Sequence, residues 1–498
     1  MQQRLPKVFY NPVSLIGLVI AAFNVGFIVF LLVVEAFSKR AHPYADLVIW
    51  VILPALVLVG VVLFIFGIRR ERRKERESAA AERRFPTFDF NDPKHRTTAV
   101  VLVTGFLFLS LLYAFAGFKA YEFTESKTFC GTMCHQVMGP EFRSHSFHAH
   151  AEIACADCHV GPGAKYFLLY KLKGTRQLID VIFDRYPRPI PTPVADLRPS
   201  QEVCENCHGP KHQINQRLES RNFFLSDKQN TRKTINLLLR MGTPELTTHR
   251  PPKMHWHSST TEEIVYAASD EKRARIPWIR VKRLDGKERV YRLVGAEMSD
   301  AEAAKAGPRR MDCIDCHNRG GHPYDPPQVI LNTLLNLKLV DPDLPEIKRV
   351  AVKALDAEYA SREDAMKGID SSIRSFYKTT YPDLSLKKDA AIAAAIGALQ
   401  RSYARSYDPP MKVSWKNFPD NRGHRFSPGC FRCHDGKHRS DDGAVLSRDC
   451  SLCHLLIERA GDAGAARSDR AVFEVMKYPH PVNIGDAWKE TLCHECHG

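Results

Sequence analysis

Three uncharged stretches, seven cysteine pairs each closed by a histidine, and one strong hairpin signal predict a mostly α protein with little regular β structure. In that fold class three transmembrane helices precede a domain packed around covalently attached haem, which contains a small β-hairpin region. The uncharged stretches are Val13–Val34, Leu47–Ile68 and Thr97–Phe118, 22 residues each. A bilayer core of about 30 Å takes about 20 helical residues, so each is long enough to span. Buried core helices are the alternative, and they seldom run so far without charge. Asn24 and Pro54 interrupt two of the stretches without disqualifying them.

The cysteines decide the chemistry. Six pairs have C-x-x-C-H spacing: Cys155, Cys158 and His159; Cys204, Cys207 and His208; Cys313, Cys316 and His317; Cys430, Cys433 and His434; Cys450, Cys453 and His454; Cys493, Cys496 and His497. At this spacing two thiols add to the vinyl groups of one haem and the next residue reaches its iron. Cys130, Cys134 and His135 form the same device with one more residue between the thiols. All 14 cysteines are thereby used. Zinc and disulfides also employ C-x-x-C. Four-cysteine zinc sites need pairs of pairs, however, and seven pairs leave one over. Histidine is 21 of 498 residues, so its recurrence after each second cysteine is not coincidence. Seven covalent c-type haems follow.

Charge orients the anchor. Arg69–Arg84, between the second and third stretches, holds eight basic and four acidic residues. The positive-inside rule makes this loop cytoplasmic, and with it the N-terminus. The loop near His42 and everything after Phe118 then lie outside, the side on which thioether attachment occurs. The first span lacks a small-residue cleavage site and reads as a retained anchor. A net charge of +15 raises the possibility of nucleic acid, but the basic loop reads better as a topology determinant and anionic-lipid contact. Its mixed charges can extend a helix.

Length alone suggests about three domains. The motifs divide the chain further: a membrane anchor over 1–118 with the basic loop at 69–96, three motifs over 119–215, a hairpin-bearing segment with the fourth motif over 216–330, a helical spacer over 331–425, and three motifs clustered over 426–498. Short linkers force the first three haems close together. KYFLLYKLKGTRQLIDVIFDRY, between the second and third motifs, predicts an amphipathic helix along the membrane surface, ended by PRPIPTP. IPWIRVKRLDGKERVYRLV alternates around Asp285-Gly286 and predicts a hairpin. MHWHS before it puts His255 and His257 on one side if extended. IKRVAVKALDAEYA and KDAAIAAAIGALQRSYARSY have helical spacing and predict a scaffold between the fourth and fifth motifs.

Six-coordinate iron needs a second ligand. Beyond Phe118 the histidines outside the motifs are His145, His148, His150, His212, His249, His255, His257, His322, His424, His438 and His480, with His494 inside the last spacer. The selected distal ligands are His150, His255, His257, His322, His424, His438 and His480. One of these seven is surplus to haems two to seven or serves the first haem. Surface metal binding and ordinary hydrogen bonding are the competing roles.

Several segments carry a resemblance: CGTMCHQVMGPE, HAEIACADCHVGPGA, KLKGTRQL, RPIPTPVADLRP and CENCHGP. They resemble the NapC/NirT family of membrane-anchored multihaem quinol dehydrogenases, specifically from about Asp89 to His212 and more loosely beyond. The larger members, with several N-terminal spans and about seven haems, are most similar. The resemblance implies a multi-pass protein of the bacterial inner membrane with its haem domain facing the periplasm. It implies oxidation of quinol, menaquinol being the expected one, beside a first haem at the membrane surface, with electrons passing outward to a periplasmic c-type cytochrome or reductase. The family's quinol site uses a lysine and an aspartate seven residues apart, a spacing that Lys173 and Asp180 match. Quinol oxidation releases protons, and a partly buried carboxylate suits that task. A solvated charged face is the plainer reading of the same pair.

Two features depart from the family. Its members often carry C-x-x-C-H-x-M at the first haem; here the thiol spacing is longer and Met138 stands three residues after His135, so both residues are candidate iron ligands. The first two spans are also additional to the family core. A multihaem reductase of a small nitrogen compound or oxyanion, working at a five-coordinate haem, is the alternative. No C-x-x-C-K occurs to favour it.

Overall fold

The computed structural model describes residues 11–37, 53–77, 91–133, 135–161, 164–194, 197–208, 216–242, 254–258, 262–283, 285–459, 473–475, 480 and 482–497. They fall into two compact units, 1–126 with 160–179, and 127–159 with 180–498.

In the first unit, α1 (Pro12–Phe37) and α2 (Leu53–Glu77) are each long and apolar enough to cross a membrane. They pack backbone to backbone. A Cβ at Gly17 would stand 2.4 Å from Phe64 N, and one at Gly60 would stand 2.7 Å from Ala21 N. Lipid gives helices no hydrophobic reason to associate, so small residues that permit close approach do the work. Buried Asn11 caps α1 by accepting from Ser14 N at 2.8 Å, and Ser14 Oγ donates across to Phe64 O at 3.0 Å. The helix of the second stretch runs on through the basic residues to Glu77, as the mixed charges allow. The third expected span lies inside one unbroken helix, α3 (Pro93–Thr124). The amphipathic helix is also present as α5 (Ala164–Ile182), and its Lys171 bonds Thr124 and pairs with Glu125 at the end of α3.

The second unit holds more strand than expected. The hairpin around Asp285-Gly286 forms, joining β4 (Trp278–Lys282) to β5 (Glu288–Leu293) with Ile279 opposite Tyr291 and Gly286 at φ +79°. It belongs to a five-stranded sheet ordered β6-β3-β4-β5-β7, whose other members are β3 (Glu263–Ala267), β6 (Arg309–Arg310) and β7 (His438–Ser440). A second sheet has the order β1-β2-β8-β9, with β1 (Gln216–Phe224), β2 (Arg232–Arg240), β8 (His454–Arg459) and β9 (Phe473–Val475). The chain is about half helical with small sheets, and the expected hairpin is part of one of two such sheets. β1 and β2 are rich in charged and amide residues without strict alternation, β8 reads HLLIER without alternation, and β6, β7 and β9 are too short to leave a periodic signal. MHWHS is not extended either: Met254–Ser258 is a single 3-10 turn.

Between the fourth and fifth motifs the chain is helical, with α6 (Pro327–Asn336), α7 (Ile347–Leu355), α8 (Arg362–Thr380) and α9 (Asp389–Ser406). Ser361 caps α8 by accepting from Asp364 N, which satisfies one otherwise orphaned donor. Leu331, Leu335, Ile347, Leu355, Ile369, Ile373 and Leu399 form a fully enclosed aliphatic core. This core extends to Val137 and Met138 on α4 (His135–His145), the helix that begins at the histidine of the first motif. Arg143 of α4 donates to Ala404 O and pairs with Asp408 at 2.5 Å. The helical segment is thus a buttress for the first motif as well as a spacer.

Replacing Ile369, which is 0% exposed, by alanine is expected to cost about 2–5 kcal/mol of stability through lost burial and a residual cavity. Denaturant unfolding of the purified protein, with haem absorbance recorded alongside, measures it.

Candidate haem-binding site

The second unit encloses a cavity of about 2670 Å³. Its wall carries at least one cysteine from every motif, together with Met138 and the facing histidines.

The histidines meet in pairs. The ring of His208 lies 5.8 Å from that of His150, His159 6.3 Å from His322, and His317 6.5 Å from His255. His434 lies 5.9 Å from His257, His454 6.1 Å from His424, and His497 6.1 Å from His480. Every pair joins a motif histidine to one from outside the motifs. Rings in direct contact also stand about 4.5–7 Å apart, but two metal–nitrogen bonds of about 2 Å, each extended from ring nitrogen to ring centre, span about 6 Å, and every pair here includes a motif histidine. The gap accepts an iron atom.

Ring orientation is set from behind. His150 Nδ1 donates to Gly320 O at 2.6 Å, His257 Nδ1 to Met254 O at 2.8 Å, His434 Nδ1 to Ser447 O at 2.9 Å and His480 Nδ1 to Val482 O at 2.7 Å. At His150, His257 and His434 this bond places the proton on Nδ1 and leaves Nε2 for a metal, the usual arrangement behind a metal-bound imidazole. Burial pushes His257 and His424 down to about 4 and His322 to about 3, so these rings are neutral at physiological pH. Among the described residues no three His, Cys, Asp or Glu side chains converge as a zinc site requires. The donor set, the spacing and the cavity all fit haem.

Consecutive motifs are also neighbours in space. Cys155 lies within hydrogen-bond reach of Cys130, and Cys430 of Cys453. Cys158 is within electrostatic range of Cys207, Cys204 of Cys313, Cys316 of Cys430, and Cys493 of Cys450. Taken together, these proximities run from the first motif to the seventh in chain order.

Local structure holds the motifs in place. Asp312 caps the one-turn helix Cys313–Cys316, and Asp315 returns a bond to Asp312 N at 2.8 Å. Buried Asp315 also accepts from Tyr266 Oη at 2.5 Å and pairs with Arg309 at 3.3 Å, tying this motif to β3 and β6. The desolvation of Tyr266 beside that carboxylate drives its hydroxyl far above the ordinary tyrosine range.

Six of the seven selected distal histidines occupy facing positions. His438 does not. Its fully buried ring uses both nitrogens, Nδ1 with Asp435 at 2.9 Å and Nε2 with Ile276 O at 2.7 Å, leaving none for a metal. It fastens β7 to the loop before β4. His145 is similarly used up by Gly321 O and Ile153 O. At the first motif Met138 lines the cavity, while Cys134 and the side chain of His135, like His212 and His249, lie outside the described residues. Lys173 and Asp180 share α5, Lys173 exposed and 5.6 Å from the Tyr170 ring, Asp180 half-buried. The histidine pairings had no sequence signal, because the separation of partners along the chain follows no pattern, from 17 positions for His480 and His497 to more than 160 for His159 and His322.

The chain is 37% identical over 489 residues to the cytochrome c-type protein ImcH of Geobacter sulfurreducens, covering 98% of this chain and 95% of that protein. Residues 92–189 match the model of the NapC/NirT cytochrome c family, N-terminal region. The chain belongs to the NapC/NirT cytochrome c family. No solved structure matches it. It is thus a membrane-type multihaem c-type cytochrome, with two apolar N-terminal helices that fit an anchor.

His438→Ala is expected to cost about 1–3 kcal/mol, because Asp435 and Ile276 O lose their buried donors. Every low-spin haem signal should survive in the electron paramagnetic resonance spectrum, whereas loss of one would make His438 a ligand after all.

Proposed function

We propose that the chain oxidises quinol at the periplasmic face of the inner membrane and passes the electrons, one at a time, along seven haems to a periplasmic c-type cytochrome or reductase. The observation that carries this reading is the set of six histidine pairs, each facing a motif histidine with one from outside the motifs. The motif cysteines would hold each haem covalently, and the paired imidazoles would supply both axial ligands to haems two to seven. Haem supplies reversible one-electron iron chemistry when bound. The protein contributes a dry, preorganised wall and keeps the porphyrins in sequence.

At the first haem His135 or Met138 would be a ligand, and Met138 is already directed to the cavity wall. A methionine ligand raises the haem potential, which suits acceptance from quinol. Lys173 and Asp180 on α5 would position the quinol and take its protons, with α3 completing a three-span anchor and the haem domain outside. Similarity to ImcH across nearly the full length supports the electron-transfer class. The reductase alternative needs an open iron position, and all six motif histidines with described side chains already face a partner ring.

In membrane vesicles, a menaquinol analogue should reduce the haems and a quinone-site inhibitor should block it. Haems that stay oxidised would remove the proposed activity. Asp180→Asn is expected to slow quinol-driven reduction by about 10²-fold, the scale of a lost general base, while dithionite reduces all haems as before. His480→Ala should convert one haem from low to high spin without changing total haem in a pyridine haemochrome assay.

A further inference from the structure

Arg319 is the anomaly in the cavity wall. It is 4% exposed, yet among the described residues no carboxylate stands within ion-pair distance of it. Other buried arginines have their charge or donors satisfied. Arg198 pairs with Glu202 at 2.5 Å, and Arg432 donates to Gly429 O, Arg273 O and Asp315 O. Arg319 donates once, from Nη2 to Thr192 Oγ1 at 2.9 Å, and lies 4.7 Å from the Phe418 ring centre. Its Nε has no partner. A buried charge without an ion-pair partner costs several kcal/mol, a cost that an anion held in the cavity would offset.

Other polar atoms beside it are orphaned too. Tyr324, 4% exposed, has an unpartnered hydroxyl, and Glu141 Oε2 and Gln328 Oε1 are also buried without partners. All four side chains line the haem cavity. Burial raises the Glu141 carboxyl, Tyr324 and Arg319 draw it back down and Asp408 raises it; Glu141 and Asp420 both act on Arg319 through space, but neither forms an ion pair with it. Asp420 is already paired with Arg422. Arg319 and Tyr324 flank His322, which faces His159, so the unmet charge lies in the loop that reaches the haem of Cys155 and Cys158. The only acids that haem brings are its propionates.

We infer that Arg319 and Tyr324 seat a buried propionate of the haem attached at Cys155 and Cys158, with Glu141 as the adjoining carboxyl. The inference rests on that haem being bound there. The guanidinium is its counter-charge and holds that haem's potential up, because an uncompensated carboxylate stabilises ferric iron. It also keeps the propionate ionised, so the potential is insensitive to pH near neutrality.

The test is a spectropotentiometric titration of the full-length, haem-loaded protein at the acidic and alkaline ends of the neutral range. Arg319→Gln is expected to lower one haem potential, leave the others in place, and make that potential fall as pH rises. Arg319→Lys, which keeps the charge, should restore both properties, and exposed Arg374→Gln should change nothing. Full haem content with every potential unchanged in Arg319→Gln overturns the inference. Should that variant fail to accumulate, Tyr324→Phe carries the test: a smaller fall of one potential supports the seat, and none overturns it. Cys155→Ser with Cys158→Ser separates the underlying reading, since haem content that does not drop by one defeats haem attachment itself rather than the propionate seat.

Discussion

Six pairs of imidazole rings held about 6 Å apart, each including a motif histidine, describe a structure built around something between them. Much of the second unit follows from that spacing. The wall of the cavity must be continuous and largely apolar to take discs of porphyrin, so this part of the protein has little aliphatic core of its own. Its sheets are small, and its motif helices run only one turn. Backbone carbonyls behind the histidines replace what a larger core would otherwise supply in orientation.

The pairs also explain why distant segments meet. The loop after the fourth motif presents His322 to His159 and Gly320 O to His150. The single turn Met254–Ser258 sends His255 toward the fourth motif and His257 toward the fifth. A ligand and the next motif on one short segment fix the separation of neighbouring centres more tightly than chain connectivity alone. The cysteine proximities run in chain order, while the histidine partnerships cross-link motifs that are not adjacent in sequence.

The helical segment supplies conventional stability. Its aliphatic core is fully enclosed, and it reaches Val137 and Met138 behind the first motif. Arg143 and Asp408 lock that contact with a charge-assisted bond. The place where electrons would enter is thus backed by the best-packed part of the protein. Fixed charge is handled with the same economy: Asp315 is surrounded by donors, while Arg319 is left for an acid the polypeptide does not provide.

Covalent haem attachment, an apolar anchor, the amphipathic α5, the Asp285-Gly286 hairpin and the helices from Pro327 to Ser406 were all legible in the sequence. Each rests on local chemistry or short-period patterning, which survives without knowledge of contacts. Six facing histidines were legible as candidates because few others were available. The partnership of each, and the exclusion of His438, came only from tertiary structure. A histidine bound to Asp435 and Ile276 O has the same letter as one turned toward an iron, and what separates them is whether a backbone carbonyl from another segment reaches its second nitrogen. The four-stranded sheet and the unpaired charge of Arg319 belong to the same class, since both depend on residues more than a hundred positions apart in the chain.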